Sequence, residues 1–219
     1  MSDESRTPNP YLFQTSQPRE LLACVEFAAL QAERVAEDPG AFRWLTVSLH
    51  LAVQNACLCA LDWDDEYGTK GMRRADARQI QHWTKNGRKG PEPFALREPK
   101  IVSPLTLLER VADERFLRQP YTLPLTREME QDFDALHELR NTFLHFSEDG
   151  WTVDLREFPS MMISACKVIR HLAVTQPAYL RNAERGHRDR VALAVNIIET
   201  AMEHYLGEEA SDLSSTPSA

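Results

Sequence analysis

Three side chains suited to chemistry on a phosphate ester lie within six residues: Arg140, Asn141 and His145. An arginine guanidinium presents a fork of donors that matches phosphate oxygens. A histidine imidazole titrates near neutral pH, so it can accept or donate a proton during a reaction. This combination predicts anion binding together with acid–base catalysis.

The helix that carries these residues sets their geometry. Thr126 is a predicted N-cap, and the apolar stripe that follows is Met129, Phe133, Leu136, Leu139 and Phe143. Arg140 comes four residues after Leu136, so it falls on the apolar face, where a guanidinium must be paired or must face a cavity or a partner. Arg140 and His145 differ by roughly 140° around an ideal helix and by about 7.5 Å along it. Convergence therefore requires the helix to end or kink near His145, or a second copy of the motif across a dimer interface.

The segment Arg140-Asn141-Thr142-Phe143-Leu144-His145 resembles the Arg-polar-x-x-x-His motif of the HEPN superfamily. The resemblance implies an all-α bundle, two subunits whose motif helices face each other, and RNA cleavage without a metal or other cofactor. It also implies that Arg140 holds the phosphate, His145 transfers protons and Asn141 orients them. A ribose 2′-hydroxyl would then attack the adjacent phosphorus and leave a 2′,3′-cyclic phosphate. Ser147 stands where many toxin-type members have tyrosine.

Apolar residues recur at helical spacing in six stretches, which predicts an all-α bundle of about five to six helices. The resemblance implies that this bundle is HEPN-like. The stretches begin near Leu21, Phe42, Leu105, Met129, Met161 and Val191, and the second, from Phe42 to Leu61, is apolar nearly all round and should be central. Residues 18–206 form one predicted domain. Residues 1–17 and 207–219 lack apolar periodicity and are predicted to be disordered tails, and residues 151–155 form a possible short extended piece.

Residues 62–100 are predicted to be a long basic insertion with little apolar periodicity. Within 70–100 there are nine basic and three acidic residues, a local charge of +6 in a chain whose remainder carries −14. Such a segment can follow a phosphate backbone while an aromatic ring stacks on a base. The predicted RNA-binding residues are Arg73, Arg74, Arg78, Trp83, Lys85, Arg88 and Lys89. The alternative is a solvated, mobile loop whose charge offsets the acidic body.

Four further polar residues are candidates for lining a cleft opposite the motif. They are His50, Gln54 and Asn55 on the central helix, and His137 one turn before Asn141. The alternative is that they are core polar groups whose hydrogen bonds fix the helix packing. His137 and His145 are about 12 Å apart along a helix, too far to share one metal ion. No metal site is therefore predicted.

Charge, cysteine content and the absence of known motifs argue against several other classes of protein. A net charge of −8 argues against a general nucleic-acid coat protein. The four cysteines lie in apolar stretches without metal or disulfide spacing, which indicates a reducing compartment, and the N-terminus does not have the layout of a signal peptide. A cytoplasmic protein without a membrane segment is the expectation. Dinucleotide-binding, P-loop and hydrolase-elbow motifs are absent from the sequence.

The sequence thus favours a homodimeric, metal-independent RNA endonuclease. The same resemblance implies a role in defence and an antitoxin or other regulatory protein as a partner. The first alternative is a non-catalytic HEPN-like module that binds a nucleotide, an RNA or a protein. A purely structural bundle with the motif by accident is the third reading. The enzyme needs Arg140 to be accessible to substrate, whereas the module tolerates Arg140 in a salt bridge, for example to Glu138 or Asp134.

Overall fold

In the computed structural model, the regular secondary structure of the described residues is helical. The described residues are 15–62, 68–89, 93, 99–144, 158–176 and 185–214. The helices are α1 (Gln17–Ala32), α2 (Ala41–Asp62), α3 (Arg74–Lys85), α4 (Pro104–Val111), α5 (Arg127–Leu144), α6 (Phe158–Ile169) and α7 (His187–Ser214), with a π-helix (Arg170–Thr175) after α6. Among these residues the one extended pairing is an isolated bridge between Met72 and Ile101. The prediction of an all-α bundle is confirmed.

Helix α2 is the centre of the bundle, as its apolar sequence predicted. It contacts α1, α4, α5 and α6 and buries most of its length. At its start, the Phe42 ring packs edge-on against Phe158 of α6 and Tyr205 of α7, with ring centroids 5.0 and 5.5 Å apart. By length and composition α2 could also span a membrane, although 72% of its most apolar window is buried inside the bundle. Burial in the core accounts for that apolar composition.

Helix α5, the motif helix, packs between α2 and α6. The Thr126 hydroxyl accepts a hydrogen bond from the Met129 amide at 3.2 Å, which confirms the predicted N-cap. The apolar stripe is buried through Phe133, Leu136 and Phe143. The buried face of α5 is therefore fixed against the core, and this fixes the direction of the side chains beside it.

Among the described residues there are seven α-helices, one more than the upper expectation of six, because α3 forms inside the basic insertion. The sequence gave little sign of it because α3 buries only Asp76 and Ile80, too few for a recognisable apolar stripe. Helix α7 also continues to Ser214, beyond the predicted end at Gly207. A single glycine weakens a helix by only about 1 kcal/mol, so good helix formers after it can extend the helix. Residues 1–14 of the predicted N-terminal tail and the predicted extended piece 151–155 lie outside the described residues.

Candidate functional site

The guanidinium of Arg140 lies half-buried near the C-terminal end of α5. Its Nη1 donates a hydrogen bond to Oδ1 of Asn141 at 3.0 Å. Its Nε is buried and has no hydrogen-bond partner among the described residues. Within the same residues it forms no ion pair, and neither Glu138 nor Asp134 neutralises it. A positive charge with unsatisfied donors at the edge of the core has the chemistry to bind an anion.

Beside Arg140, α2 and α5 bring two histidines into contact. Nε2 of His50 lies 3.0 Å from Nδ1 of His137, a hydrogen bond between two imidazoles. The His50 ring is 1% exposed and stacks parallel to Phe133, with centroids 5.5 Å apart. Nδ1 of His50 is buried and has no hydrogen-bond partner in the part of the chain that the structure covers. His50 is therefore held by one polar contact and one aromatic contact.

Burial is the main cause that lowers the pKa of His50 to about 3, and the nearby His137 and Arg140 contribute in the same direction. The His50 imidazole is uncharged at neutral pH for this reason. An uncharged His50 adds no repulsion between like charges to the neighbouring guanidinium of Arg140. The structure thus places the neutral His50, hydrogen-bonded to His137, next to a cation that lacks an anionic partner among the described residues.

Four residues of α5 form a stripe at the boundary between the core and the surface. His137, Arg140 and Asn141 are half-buried and Leu144 is 40% exposed, and their spacing of i, i+3, i+4 and i+7 puts them on one face. His145, the predicted proton-transfer group, lies outside the described residues. The stripe consequently contains two of the three predicted catalytic residues and one of the predicted cleft residues.

The other two predicted cleft residues do not join this cluster through a hydrogen bond. Asn55 is half-buried, and its side-chain nitrogen donates to the carbonyl of Leu51 on its own helix at 3.0 Å. Gln54, one turn after His50, is also half-buried. For Asn55 the structure gives a local contact within α2, which matches the alternative reading of a satisfied polar group.

The predicted RNA-binding residues lie on or beside α3. Trp83 is half-buried. The basic residues among them are all exposed: Arg73, Arg74, Arg78, Lys85, Arg88 and Lys89. Arg78, Trp83 and Lys89 line an open groove of about 510 Å³, whose other lining residues are Gln79, His82, Asn86 and Pro93. Gln79 and Asn86 were missed by the sequence reasoning. Residues 79, 82, 83 and 86 lie on one face of the helical turns, but this spacing has meaning only once α3 is known to be a helix.

Hydrogen bonds from distant parts of the chain hold α3 in place. The buried carboxylate of Asp76 accepts a bond from the Lys100 amide at 2.7 Å. The guanidinium of Arg110 donates to the carbonyls of Lys70 and Met72 at 2.5 and 2.9 Å. A Cβ atom on Gly71 would come within 2.8 Å of the Leu58 side chain, so the backbone here approaches α2 closely. The helix thus has a defined position on the bundle.

The cysteines are structural. Burial raises the pKa of Cys59 to about 12 and that of Cys24 to about 11, and it also raises those of Cys57 and Cys166, so none is a reactive thiolate at neutral pH. In the described ranges, no three His, Cys, Asp or Glu side chains are grouped as metal ligands.

Comparison of the chain with protein-family models, curated proteins and solved structures gave no match.

Proposed function

We propose that this chain is a metal-independent RNA endonuclease of the HEPN type. The observation that carries the proposal is the state of Arg140: half-buried, bonded to Asn141, and without a carboxylate partner among the described residues. A purely structural role would favour an ion pair for a guanidinium in this position, because an uncompensated charge at the edge of a core is destabilising. A role in binding phosphate requires the charge to remain available.

In the proposed reaction, Arg140 binds the scissile phosphate and stabilises the additional negative charge of the transition state. His145 accepts the proton of the ribose 2′-hydroxyl as its oxygen forms a bond to phosphorus. The bond from phosphorus to the 5′-oxygen breaks, and that oxygen takes up a proton. The products are a 2′,3′-cyclic phosphate and a 5′-hydroxyl. Asn141 keeps the guanidinium in place through the 3.0 Å hydrogen bond.

We further propose that the active form is a homodimer whose motif helices face each other. The stripe of His137, Arg140, Asn141 and Leu144 supports this arrangement, because it combines half-buried polar groups with an exposed leucine. Arg140 and His145 do not converge on a single ideal helix, so a second copy offers the missing group. Sedimentation at micromolar concentration should give the mass of a dimer, and full activity in a monomer would contradict this part.

The test is incubation of the purified full chain with mixed RNA in excess EDTA. Wild type should cut the RNA, and Arg140→Ala and His145→Ala should each lower the rate at least about a hundredfold, as expected for loss of a charge-stabilising group or a proton-transfer group. Mass spectrometry of the fragments should identify cyclic phosphate ends. Far-UV circular dichroism and the urea midpoint establish that each variant is folded.

Two controls match the chemistry of these substitutions. Arg127→Ala removes an exposed arginine from the start of the same helix, and His204→Ala removes an exposed histidine from α7. Both should cut RNA at the wild-type rate. Intact RNA with wild type would overturn the proposal in favour of the non-catalytic binding module. Cleavage that survives both Arg140→Ala and His145→Ala would also overturn it.

A further inference from the structure

An open groove beside α3 combines an aromatic ring with amides and cations, in a protein whose net charge is −8. The half-buried Trp83 lines it, together with the hydrogen-bonding side chains of Gln79, His82 and Asn86. Arg78 and Lys89 also line it. The volume of about 510 Å³ falls within the range of small-molecule sites, roughly 300–1,000 Å³.

We propose that this groove binds single-stranded RNA, with one base stacked on Trp83 and the neighbouring phosphates held by Arg78 and Lys89. Base stacking on an aromatic ring tolerates any sequence because every base has a π-face. The amides of Gln79 and Asn86 can donate to and accept from the edge of the stacked base. The groove therefore provides both of the contacts that single strands require, an aromatic platform and cations along the backbone.

The charge of the segment favours a polyanion over other partners. Residues 68–89 carry seven basic side chains and one acidic side chain, Asp76. That carboxylate is buried and bound to the Lys100 amide, so it does not face the groove. Arg78 and Lys89 form no ion pair with any residue in the described ranges. No described residue neutralises their charges, in a protein whose net charge is −8.

The anchoring of α3 separates this site from a mobile basic loop. The Arg73 amide donates to the Lys100 carbonyl at 2.8 Å and the Val102 amide donates to the Gly71 carbonyl at 3.1 Å, in addition to the Asp76 and Arg110 contacts. A helix held at both its start and its preceding turn presents the groove in one orientation. Binding on a fixed platform loses less conformational entropy than binding on a loop.

The strand must be single because the bases of a duplex are stacked on each other and do not offer a free face to Trp83. An acidic peptide would satisfy Arg78 and Lys89 but would leave the aromatic platform unused. The choice of RNA over DNA rests on the proposed function, whereas the stacking site does not.

The experiment measures binding of the full chain to a short 2′-O-methylated oligoribonucleotide, about eight nucleotides long, by fluorescence anisotropy. Methylation removes the 2′-hydroxyl nucleophile, so binding is measured without cleavage. Trp83→Ala should raise Kd about tenfold, and Trp83→Phe should retain most of the affinity because phenylalanine also stacks. Trp83→Phe should also lose most of the quenching of tryptophan fluorescence that RNA causes in wild type.

Matched controls separate stacking and charge from general effects. Trp44→Ala removes another partly exposed tryptophan, on α2, and should leave Kd unchanged. The double variant Arg78→Gln/Lys89→Gln should lower the slope of log K against log salt by about 1.4, as expected for two lost contacts to a single strand. Arg118→Gln/Lys167→Gln removes two exposed charges elsewhere and should leave that slope unchanged.

An unchanged Kd for Trp83→Ala would overturn the proposal, as would equal affinity for a duplex or equal competition by polyglutamate. Amide hydrogen exchange in residues 74–85 shows whether α3 stays folded in Trp83→Ala. If α3 unfolds in Trp83→Ala, the affinity and the fluorescence quenching of Trp83→Phe decide between the outcomes. Retained binding with lost quenching supports stacking, and retained quenching contradicts it.

The outcome for this site is distinguishable from the outcome for the proposed enzyme. Binding that depends on Trp83, without cleavage of ordinary RNA, supports this inference and contradicts the proposed enzyme. Cleavage of RNA together with binding that does not depend on Trp83 supports the enzyme and contradicts this inference.

Discussion

Two regions of this protein combine the same side-chain types, a histidine, an arginine and an asparagine, in opposite environments. In the first region, the cluster of His50, His137, Arg140 and Asn141 on α2 and α5, His50 is buried and contacts His137. Burial, together with the nearby His137 and Arg140, lowers the pKa of His50. On α3, His82 is exposed, and its ring lies 3.3 Å from the Asn86 amide one turn later on the same helix. The first set depends on two helices meeting, whereas the second set belongs to one helix.

The difference shows how burial decides what a polar residue can do. Burial disfavours the charged form of an imidazole, so His50 serves as a neutral group that packs and forms a hydrogen bond. An exposed cation keeps its charge at low cost, so the basic residues of α3 can attract an anionic chain over a distance. The first environment provides a fixed position for Arg140, and the second provides a charged surface.

The largest expected effect is a difference in the free energy of unfolding between two single substitutions, one at each histidine. His50→Ala should lower the free energy of unfolding by about 3 kcal/mol, because it leaves a cavity and removes the hydrogen bond to His137 and the stacking on Phe133. His82→Ala on the exposed face of α3 should change it by less than about 0.5 kcal/mol. Urea unfolding followed by circular dichroism measures both. Equal effects of the two substitutions would mean that the burial contrast is wrong.

The second effect is a dependence of stability on pH. The pKa of His50 is about 3 in the folded protein and about 6.5 in an unfolded chain, so between these values the unfolded state binds the proton and is favoured. The stability due to neutral His50 is fully present above pH 6.5 and is lost as the pH falls toward 3. From pH 7 to pH 5 the expected loss is about 2 kcal/mol. The measurement is urea unfolding at several pH values.

The control for this pH effect is His50→Gln, which keeps a hydrogen-bonding side chain but does not titrate. It should reduce the pH dependence of the unfolding free energy between pH 7 and pH 5 by about the same 2 kcal/mol. His204→Gln, at an exposed site on α7, should retain the wild-type dependence. If His50→Gln has the wild-type pH profile, His50 is not the group responsible.

The smallest effect concerns the attachment of α3. Asp76→Asn replaces the charged acceptor of the Lys100 amide with a neutral one and should weaken the attachment by about 1 kcal/mol. Because α3 is held mainly by such hydrogen bonds, the loss should appear as local opening. Amide hydrogen exchange should accelerate about fivefold in residues 74–85 and stay unchanged in α2.

Asp134→Asn is the matched control, since this carboxylate is exposed on α5 and forms no hydrogen bond or ion pair with a described residue. It should leave the exchange of α3 as in wild type. Acceleration spread evenly over the whole bundle in Asp76→Asn would mean that α3 is part of the core unfolding unit, contrary to the structure.

Most of the helices could be predicted from local patterns in the sequence. Apolar spacing indicated the six helices of the bundle, and Thr126 marked the start of α5, where its hydroxyl accepts a hydrogen bond from the amide three positions ahead. The basic character of the insertion was also visible in the sequence. Helix α3 was missed because a helix with only two buried residues has no apolar stripe to detect.

For the candidate site, the sequence identified Arg140 and Asn141 as neighbours on one helix, and their contact follows from adjacency. It also placed Arg140 on the apolar face, whereas the structure finds it half-buried at the edge of that face. That shift follows from the packing of α5 against both α2 and α6, which buries Phe133, Leu136 and Phe143 and leaves Arg140 beside the contact.

What the sequence by itself determined is therefore the six helices of the bundle that have apolar periodicity, the N-cap of α5 and the positive charge of the segment that contains α3, because these depend on residues within a few positions of each other. Only the tertiary structure decided that His50 meets His137, 87 residues away, and that Arg110 and Lys100 fix α3 on the bundle. Such contacts depend on how helices pack, and packing is set by the shapes of whole buried faces rather than by any local pattern.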